Sequence, residues 1–435
     1  MKAEDYYQFL DHAWHQETAR NSLDRWVDIC NQEKWEYSNE NMEILVRVFG
    51  ASWYFTRFIF VYGNKIDALL EVEFKLEDEF KIAGIQFEDI LKFDEIEQAI
   101  NQLRLFKNAI MFKILIAYLM GTLNLESIEL ALTRLSEKIL TALIQVLEKK
   151  TSNLNVPISI LGMGRMAGNE MTFGSDLDLI FLYEKNDHIL NPDLSSIIRL
   201  LLRLVAQPSS NGQLYEVDMR LRPHGNSGPL VSTYQTFLKY HAADREIWER
   251  QMMTRCRPVL VQSSNIDMLM SELNDYIYAE YADGVLEEQI VTMRRRVENV
   301  LGSVRNKHEI KRGAGGLMDI DFITHFFQLR YGIKEKVLQT ASTRDAIRQL
   351  ENSRYINNND KKTLLDSYEF LKQAETALRL FDLKSVDSFP SDVNSNVSLA
   401  KAMGFGNNVD GFMDKYLEIT AEVRQLFIKL VGDLD

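Results

Sequence analysis

The chain has 435 residues, 46% of them hydrophobic, and a formal net charge of −13; it is too long for one ordinary domain and too acidic for non-specific binding to nucleic acid or an anionic membrane. Cys30 and Cys256 are the only cysteines; they form neither a disulfide framework nor a zinc motif, and read as inert thiols of a reducing compartment. The opening MKAEDYYQFLDHAWHQ lacks the apolar core of a signal peptide, and no stretch holds about 18 consecutive apolar residues, so a cytoplasmic chain without a transmembrane helix is expected.

The first of seven prolines is Pro157, which leaves residues 1–150 free to be helical. Ile96, Ile100, Leu103, Ile110, Ile114 and Ala117 recur mostly at helical spacing, and Ile128, Leu132, Leu135, Ile139, Ala142 and Val146 repeat the pattern. Gly121-Thr-Leu-Asn reads as the break between them, with Asn124 an N-cap. The greasiest stretch, IMFKILIAYLM at 110–120, is interrupted by Lys113 and too short to span a bilayer.

The character of the chain changes at Thr151. TSNLN reads as a polar connector, VPISILG as a short buried strand, and LDLIFLY (177–183) as a second strand. Asn191-Pro192 suits the start of a helix running through IIRLLLRLVA. Gly212 then precedes QLYEVDMRLRP, which alternates as a third strand. Strands show no clear rhythm after Pro223, and helical periodicity resumes near residue 233. From about 281 onward the chain again reads as helical, broken at 311–317 (KRGAGGL), 388–396 (SFPSDVNSN) and 404–408 (GFGNN). Leu364, Tyr368, Leu371, Ala374 and Leu378 form one amphipathic stripe; Phe412, Tyr416, Ile419, Val423, Leu426 and Leu430 form another. The 16 methionines read as core filling. The layout is a helical region over 1–150, a mixed region over 151–280 and a helical region over 281–435.

The chemistry concentrates in LGMGRMAGNEMTFGSDLDLIFLY (161–183). Gly162 and Gly164 follow a strand, and eleven residues separate Gly164 from Asp176. Asp176 and Asp178 lie two apart on a strand, so their side chains share a face while Leu177, Leu179 and Phe181 take the other. Paired carboxylates repel unless a dication joins them, and hard oxygen ligands of this number suit Mg²⁺. On the third strand, alternation puts Glu216, Asp218, Arg220 and Arg222 on one face. An acid beside two arginines makes poor core but a good phosphate site, because guanidinium forks bind phosphate oxygens in pairs. The glycines let the backbone approach phosphates closely. A lone DxD or GxG carries little weight; their combination with an acid and two arginines on a third strand is specific.

These residues resemble the glutamine synthetase adenylyltransferase/deadenylylase family, polymerase-β-type nucleotidyltransferases whose pattern is Gly, eleven residues, then DxD. The resemblance continues through YEVDMRLRPHGNSGPLVSTYQTFLKYH, REIWERQMMTRCRPV and EIKRGAGGLMDIDFITHFFQLRYG, is preceded by a similar helical lead-in at GASWYFTRFIFVYGNKIDALL, and covers roughly residues 45–335. It implies an α+β fold that is mostly helical, with a small mixed β-sheet nucleotidyltransferase domain between two helical regions, the last resembling that of the PII uridylyltransferases. It implies Asp176, Asp178 and Asp218 as catalytic and metal ligands for Mg²⁺, and Gly162, Gly164, Ser175, Arg220 and Arg222 as nucleotide-binding residues. ATP, or ADP and phosphate, glutamine synthetase and a PII-type signalling protein are the implied partners. Arg165-Met166-Ala167 stands where GKLGG is typical and Gly174 where a second Ser is usual; no carboxylate is lost.

Family members usually carry two such modules, one attaching AMP to a tyrosine of glutamine synthetase and one removing it by phosphorolysis; this chain holds one. Tyr215-Glu216, DLDLIFLY, MGTLN (120–124) and Asp319 resemble the attaching module, and GNSGPLV and GAGG the removing one. Attachment is the favoured reading, removal the alternative, and an inactive module binding nucleotide or a PII-like protein a third that the intact carboxylates oppose. Among other residues, Lys311, Arg312 and GAGG form either a second phosphate-contacting loop or a simple cap. Asp319 and Asp321 suit the dipole of a helix over 317–331. Arg294-Arg295-Arg296 reads as a solvated helix face, Trp248 and Glu249 as packing and surface, and His224 and His241 as incidental.

Overall fold

The freedom from proline is realised as a run of helices. In the computed structural model, which describes every residue except 72–73, 75–86, 91, 94, 151–156, 185–190, 244–245, 283, 302–307, 382, 385 and 434–435, a 3-10 helix (Ala3–His12) precedes α1 (Gln16–Glu33), α2 (Asn39–Ala51), α3 (Trp53–Tyr62), α4 (Phe87–Ile90), α5 (Ile96–Leu119) and α6 (Leu125–Lys150). The sheet region follows: β1 (Ile158–Met163), α7 (Gly164–Ala167), β2 (Leu177–Tyr183), α8 (Asn191–Ala206), β3 (Val217–Asp218), β4 (Val231–Thr233), α9 (Tyr234–Ala242), α10 (Ile247–Met253) and β5 (Cys256–Leu260). Helices α11 (Ile266–Ile277), α12 (Val285–Leu301), α13 (Leu317–Tyr331), α14 (Thr343–Asn352), α15 (Asn358–Leu380), α16 (Val393–Ala402) and α17 (Val409–Leu430) complete the chain. Helix makes up 66% of the residues around a small mixed sheet, which is the mostly helical α+β class the sequence led us to expect. The connector TSNLN lies outside the described residues.

Two compact units divide the chain. The first comprises Met1–Leu135, Thr172–Ser175 and Lys372–Tyr416. Its helices start where side chains accept from exposed backbone N–H groups: Asn124 Oδ1 takes the Ser127 N–H at 2.9 Å, the cap expected of it, and Ser52 Oγ caps α3 while donating to the Leu380 carbonyl at 2.6 Å. Aromatic clusters fill the core. Trp26 is fully buried among Trp35, Tyr37 and Phe60, and Phe55 packs with Phe58, Phe112 and Phe173. Lys372, buried at 2% exposure, pairs with Glu129 and Glu375, each at 3.0 Å; buried charge is tolerated only when paired in this way.

The second unit, Ser136–Met171, Asp176–Leu371 and Leu417–Asp435, contains the sheet. β1 is its spine. All six β1 residues are buried, and it pairs antiparallel with β2 on one side and β5 on the other. β2 in turn takes β3 and β4 as parallel neighbours, β3 at its start and β4 at its end. Strands β1 and β2 fall where the apolar runs predicted them. The third strand is a correction: it spans only Val217–Asp218, because the Arg220 N–H turns back to Asp218 Oδ1 at 2.8 Å and ends the alternation. β4 and β5 are two further strands beyond Pro223, where no strand rhythm is visible in the sequence.

A buried ionic cluster ties the unit together. Glu170, 1% exposed, receives Arg255, the Thr343 N–H at 2.7 Å and the Tyr368 hydroxyl at 2.9 Å. A second cluster joins α12, α13 and α17: fully buried Arg294 donates to Asp319 at 2.5 Å, and Arg424 reaches Asp319 at 3.2 Å. Arg294 therefore departs from the solvated triplet expected, while Arg296 is exposed.

Candidate active site

β2 carries the acidic pair to one corner of the sheet. Asp176 lies just ahead of the strand and Asp178 within it, and the parallel neighbour β3 sets Asp218 directly opposite Asp178 in register. The Leu177 N–H donates to the Glu216 carbonyl at 2.9 Å, fixing that register. Each of the three carboxylates offers one oxygen such that all lie within 4.8 Å of one another, with Asp176 exposed and Asp178 and Asp218 half-buried. Among the described residues this is the one group of three or more side chains able to hold a metal ion. The convergence depends on the single ladder step Asp178↔Asp218, which the shortened strand retains.

The electrostatics fit a dication. Burial, then repulsion from Asp176 and Asp218, pushes Asp178 up to about 7, against the opposing fields of Lys311 and Arg165. Burial acts upward on Asp218 too, but hydrogen bonds from Arg220 outweigh it and hold the carboxyl below its ordinary range. Arg220 reaches Asp218 Oδ2 through Nε at 2.7 Å and through its terminal nitrogen at 2.5 Å. Three hard oxygen donors, one of them held at an unfavourable charge, are a donor set that Mg²⁺ would relieve.

Gly164 has φ of 56°, and a Cβ there would sit 3.1 Å from Asp178 Oδ2, so only glycine lets this turn pass beside the acid. Gly162 serves the sheet: it is paired on both sides, and a Cβ would lie 2.7 Å from the Val259 side chain. Ser175 is buried, and its hydroxyl accepts the Thr172 N–H at 3.0 Å. Arg220 stands 74% exposed beside the triad. Arg222 instead grips its own loop, donating to the carbonyls of Met219 at 2.7 Å, Asn226 at 3.3 Å and Gly228 at 3.4 Å. The alternation that put Arg220 and Arg222 on one face with Asp218 is thus replaced by a turn.

Lys311 acts on Asp178 through its charge. Asp319 belongs to the buried Arg294 cluster, and its carboxylate also takes the Gly315 N–H at 2.8 Å. Asp321 joins Arg255 at 3.2 Å. Trp248 is 44% exposed and Glu249 accepts the Tyr240 hydroxyl. His224 stacks edge-on against Tyr240 and His241 is buried. Both cysteines are free and buried, and burial raises Cys30 to about 11 and Cys256 to about 12, consistent with inert thiols. Sequence reasoning passed over Arg165 as a mere departure from a loop pattern and gave no sign of the cleft beside the triad. That cleft, about 570 Å³, is lined by Asp176, Asp218, Arg220, Leu202, Ala206 and Leu230, among others.

A carboxylate triad on paired strands of a small mixed sheet, flanked by arginines and a lysine, has the composition of a nucleotidyltransferase site. Residues 42–272 match the family described as glutamate-ammonia ligase adenylyltransferase, and residues 285–431 match the family described as GlnD PII-uridylyltransferase. The first match spans more than half of the chain, so the chain belongs to the glutamate-ammonia ligase adenylyltransferase family and is a nucleotidyltransferase. No described helix is long and apolar enough to cross a membrane.

Proposed function

We propose that this chain transfers AMP from ATP to a tyrosine hydroxyl of glutamine synthetase, the glutamate-ammonia ligase of the family name, with Asp176, Asp178 and Asp218 as the reacting centre. The observation that carries this is the convergence of the three carboxylates within 4.8 Å across one ladder step. These residues would hold Mg²⁺, which when bound supplies Lewis-acid stabilisation of the charge that develops on the phosphoryl oxygens. Asp218 accepts the hydroxyl proton as the tyrosine oxygen bonds to the α-phosphorus and pyrophosphate leaves. Asp218 is suited to this because it is already ionised, with Arg220 at its edge ready to turn to phosphate oxygens. Gly164 gives the backbone close access beside Asp178, and Lys311 and Arg165 add positive charge on that side. Within this reading, Gly162, Ser175 and Arg222 shape the nucleotide site through the strand, the turn before Asp176 and the 219–228 loop.

The match over 285–431 supports reading residues 281–435 as a helical domain of the PII-uridylyltransferase kind, which follows a transferase domain over 151–280 and a helical region over 1–150. A PII-type protein would then dock on helices. The loops Gly225–Val231 and 313–316 keep the reverse reaction in view: phosphate attacks an AMP-tyrosine and ADP leaves, at the same carboxylates. Incubation with ATP, Mg²⁺ and unmodified glutamine synthetase, and in parallel with phosphate and the adenylylated enzyme, separates the two. Intact-mass gain of AMP on the unmodified enzyme supports attachment; release of AMP as ADP from the modified enzyme replaces it with removal; no change in either sinks the reading.

A further inference from the structure

The two sides of the triad differ in chemistry. Arg165 and Lys311 are the cations whose charge acts on Asp178. On the Asp176–Asp218 side lies the cleft of about 570 Å³, which neither of those cations lines. Its wall is apolar. Leu202 and Ala206 come from the last two turns of α8, and Met219 and Leu230 come from the segments on either side of the Arg222-bound loop. Among the described residues Arg220, at its edge, is the only cation lining the cleft, and it is already bonded to Asp218. A polyphosphate chain gains from cations and nothing from such a wall, whereas an aromatic ring gains from burial against it. The volume falls in the range of about 300–1,000 Å³ that holds small ligands or a recognised side chain.

We propose, resting on the AMP-transfer reading above, that this cleft is the acceptor subsite: it seats the tyrosine ring of the protein substrate against Leu202, Ala206 and Leu230, with the phenolic oxygen at Asp218. In attachment the phenolic oxygen forms its bond to the α-phosphorus, the bond from that phosphorus to the pyrophosphate oxygen breaks, and the phenolic proton passes to the Asp218 carboxylate. In removal a phosphate oxygen bonds to the α-phosphorus, the bond from that phosphorus to the phenolic oxygen breaks, and the ring leaves from the same place with the proton that the attacking phosphate passes to it through the Asp218 carboxylate. The assignment therefore holds in both directions. It gives the apolar residues of the wall a role in favouring an aromatic hydroxyl over that of serine, which carries no ring to bury against them.

Ala206→Trp tests it, because Ala206 is exposed on α8 and the larger ring fills the cleft without entering the core. The expected result is a rise of about tenfold or more in the KM for glutamine synthetase, with ATP affinity measured by calorimetry unchanged within twofold. An unchanged KM for the protein, with ATP affinity lowered instead, overturns the proposal and places the nucleotide base in the cleft. A second readout needs no turnover: saturation-transfer NMR of N-acetyltyrosinamide with the wild-type chain and ATP present. Its signal is expected to fall in Ala206→Trp and, more mildly, in Leu202→Ala; an equal signal in all three proteins overturns the assignment. Should wild type transfer no AMP in either direction while this NMR signal persists, the functional reading fails and the aromatic subsite stands.

Discussion

Replacing Asp178 with Asn removes one charge from the triad and leaves side-chain size and burial nearly unchanged. The folded protein holds Asp178 at about 7, against an ordinary value of 3.8, because it is buried beside Asp176 and Asp218. At 1.36 kcal/mol per tenfold, that difference sets a ceiling of about 4 kcal/mol on the destabilisation caused by ionising it. Solvent reaches this half-buried corner and screens part of the repulsion, so about 1–3 kcal/mol is expected to survive. Since the folded value lies above the unfolded one, protonated Asp178 favours the fold below about pH 4, and that contribution is lost as pH rises through about 7. In EDTA, Asp178→Asn should therefore match wild type near pH 4 and exceed it at pH 8, by roughly 2–12 °C in Tm at about 2–4 °C per kcal/mol. Saturating Mg²⁺ should reverse the order, raising wild type by about 3 kcal/mol at 100 times its Kd and the variant by much less. Thermal scans across pH with and without Mg²⁺ read both effects. A variant that is less stable than wild type at pH 8 in EDTA, or a gap that does not change with pH, refutes the electrostatic argument.

Arg222→Ala should lower stability by about 1–3 kcal/mol, because three loop carbonyls lose a charged donor, and Arg222→Lys should rescue little in a denaturation assay, since one ammonium cannot span all three. Gly164→Ala forces a Cβ toward Asp178 at a φ of 56°; a loss of about 1–2 kcal/mol and weaker Mn²⁺ binding by electron paramagnetic resonance are expected. Glu170→Ala removes one of the two carboxylates paired with buried Arg255, and the acceptor of the Thr343 N–H and Tyr368 hydroxyl, and should destabilise by about 3–5 kcal/mol, seen as a lowered urea midpoint. Asn124→Ala removes the α6 cap and should take away about 1 kcal/mol in the same assay.

What could be read from the sequence was what is local. β1 and β2 are short, largely apolar runs, and the Asn124 cap sits within three residues of the group it serves. Asp176 and Asp178 lie two residues apart at the start of β2, and Asp218 lies across a single parallel ladder step, so a face-by-face reading of two short segments brought the triad together. The same reading overran past Asp218, because the alternation of MRLRP continues in a segment whose own side chains turn it: Arg220 onto Asp218, Arg222 onto three carbonyls. β5 was missed because CRPVL has no apolar run and is a strand only by pairing with β1, about a hundred residues earlier in the chain. Arg294 looks solvated until Asp319, 25 residues on, and Arg424 close around it. Long-range charge pairing of that kind leaves no periodic mark on a sequence.

The central question is whether these three carboxylates do the chemistry. The most direct measurement is AMP transfer to or from glutamine synthetase, followed by intact mass, for wild type beside Asp176→Asn, Asp178→Asn and Asp218→Asn, each checked for an unchanged circular dichroism spectrum. The account predicts transfer by wild type and its loss in all three variants, since each substitution removes a hard oxygen ligand without changing side-chain size. Transfer at the wild-type rate by any one of the three folded variants would contradict it.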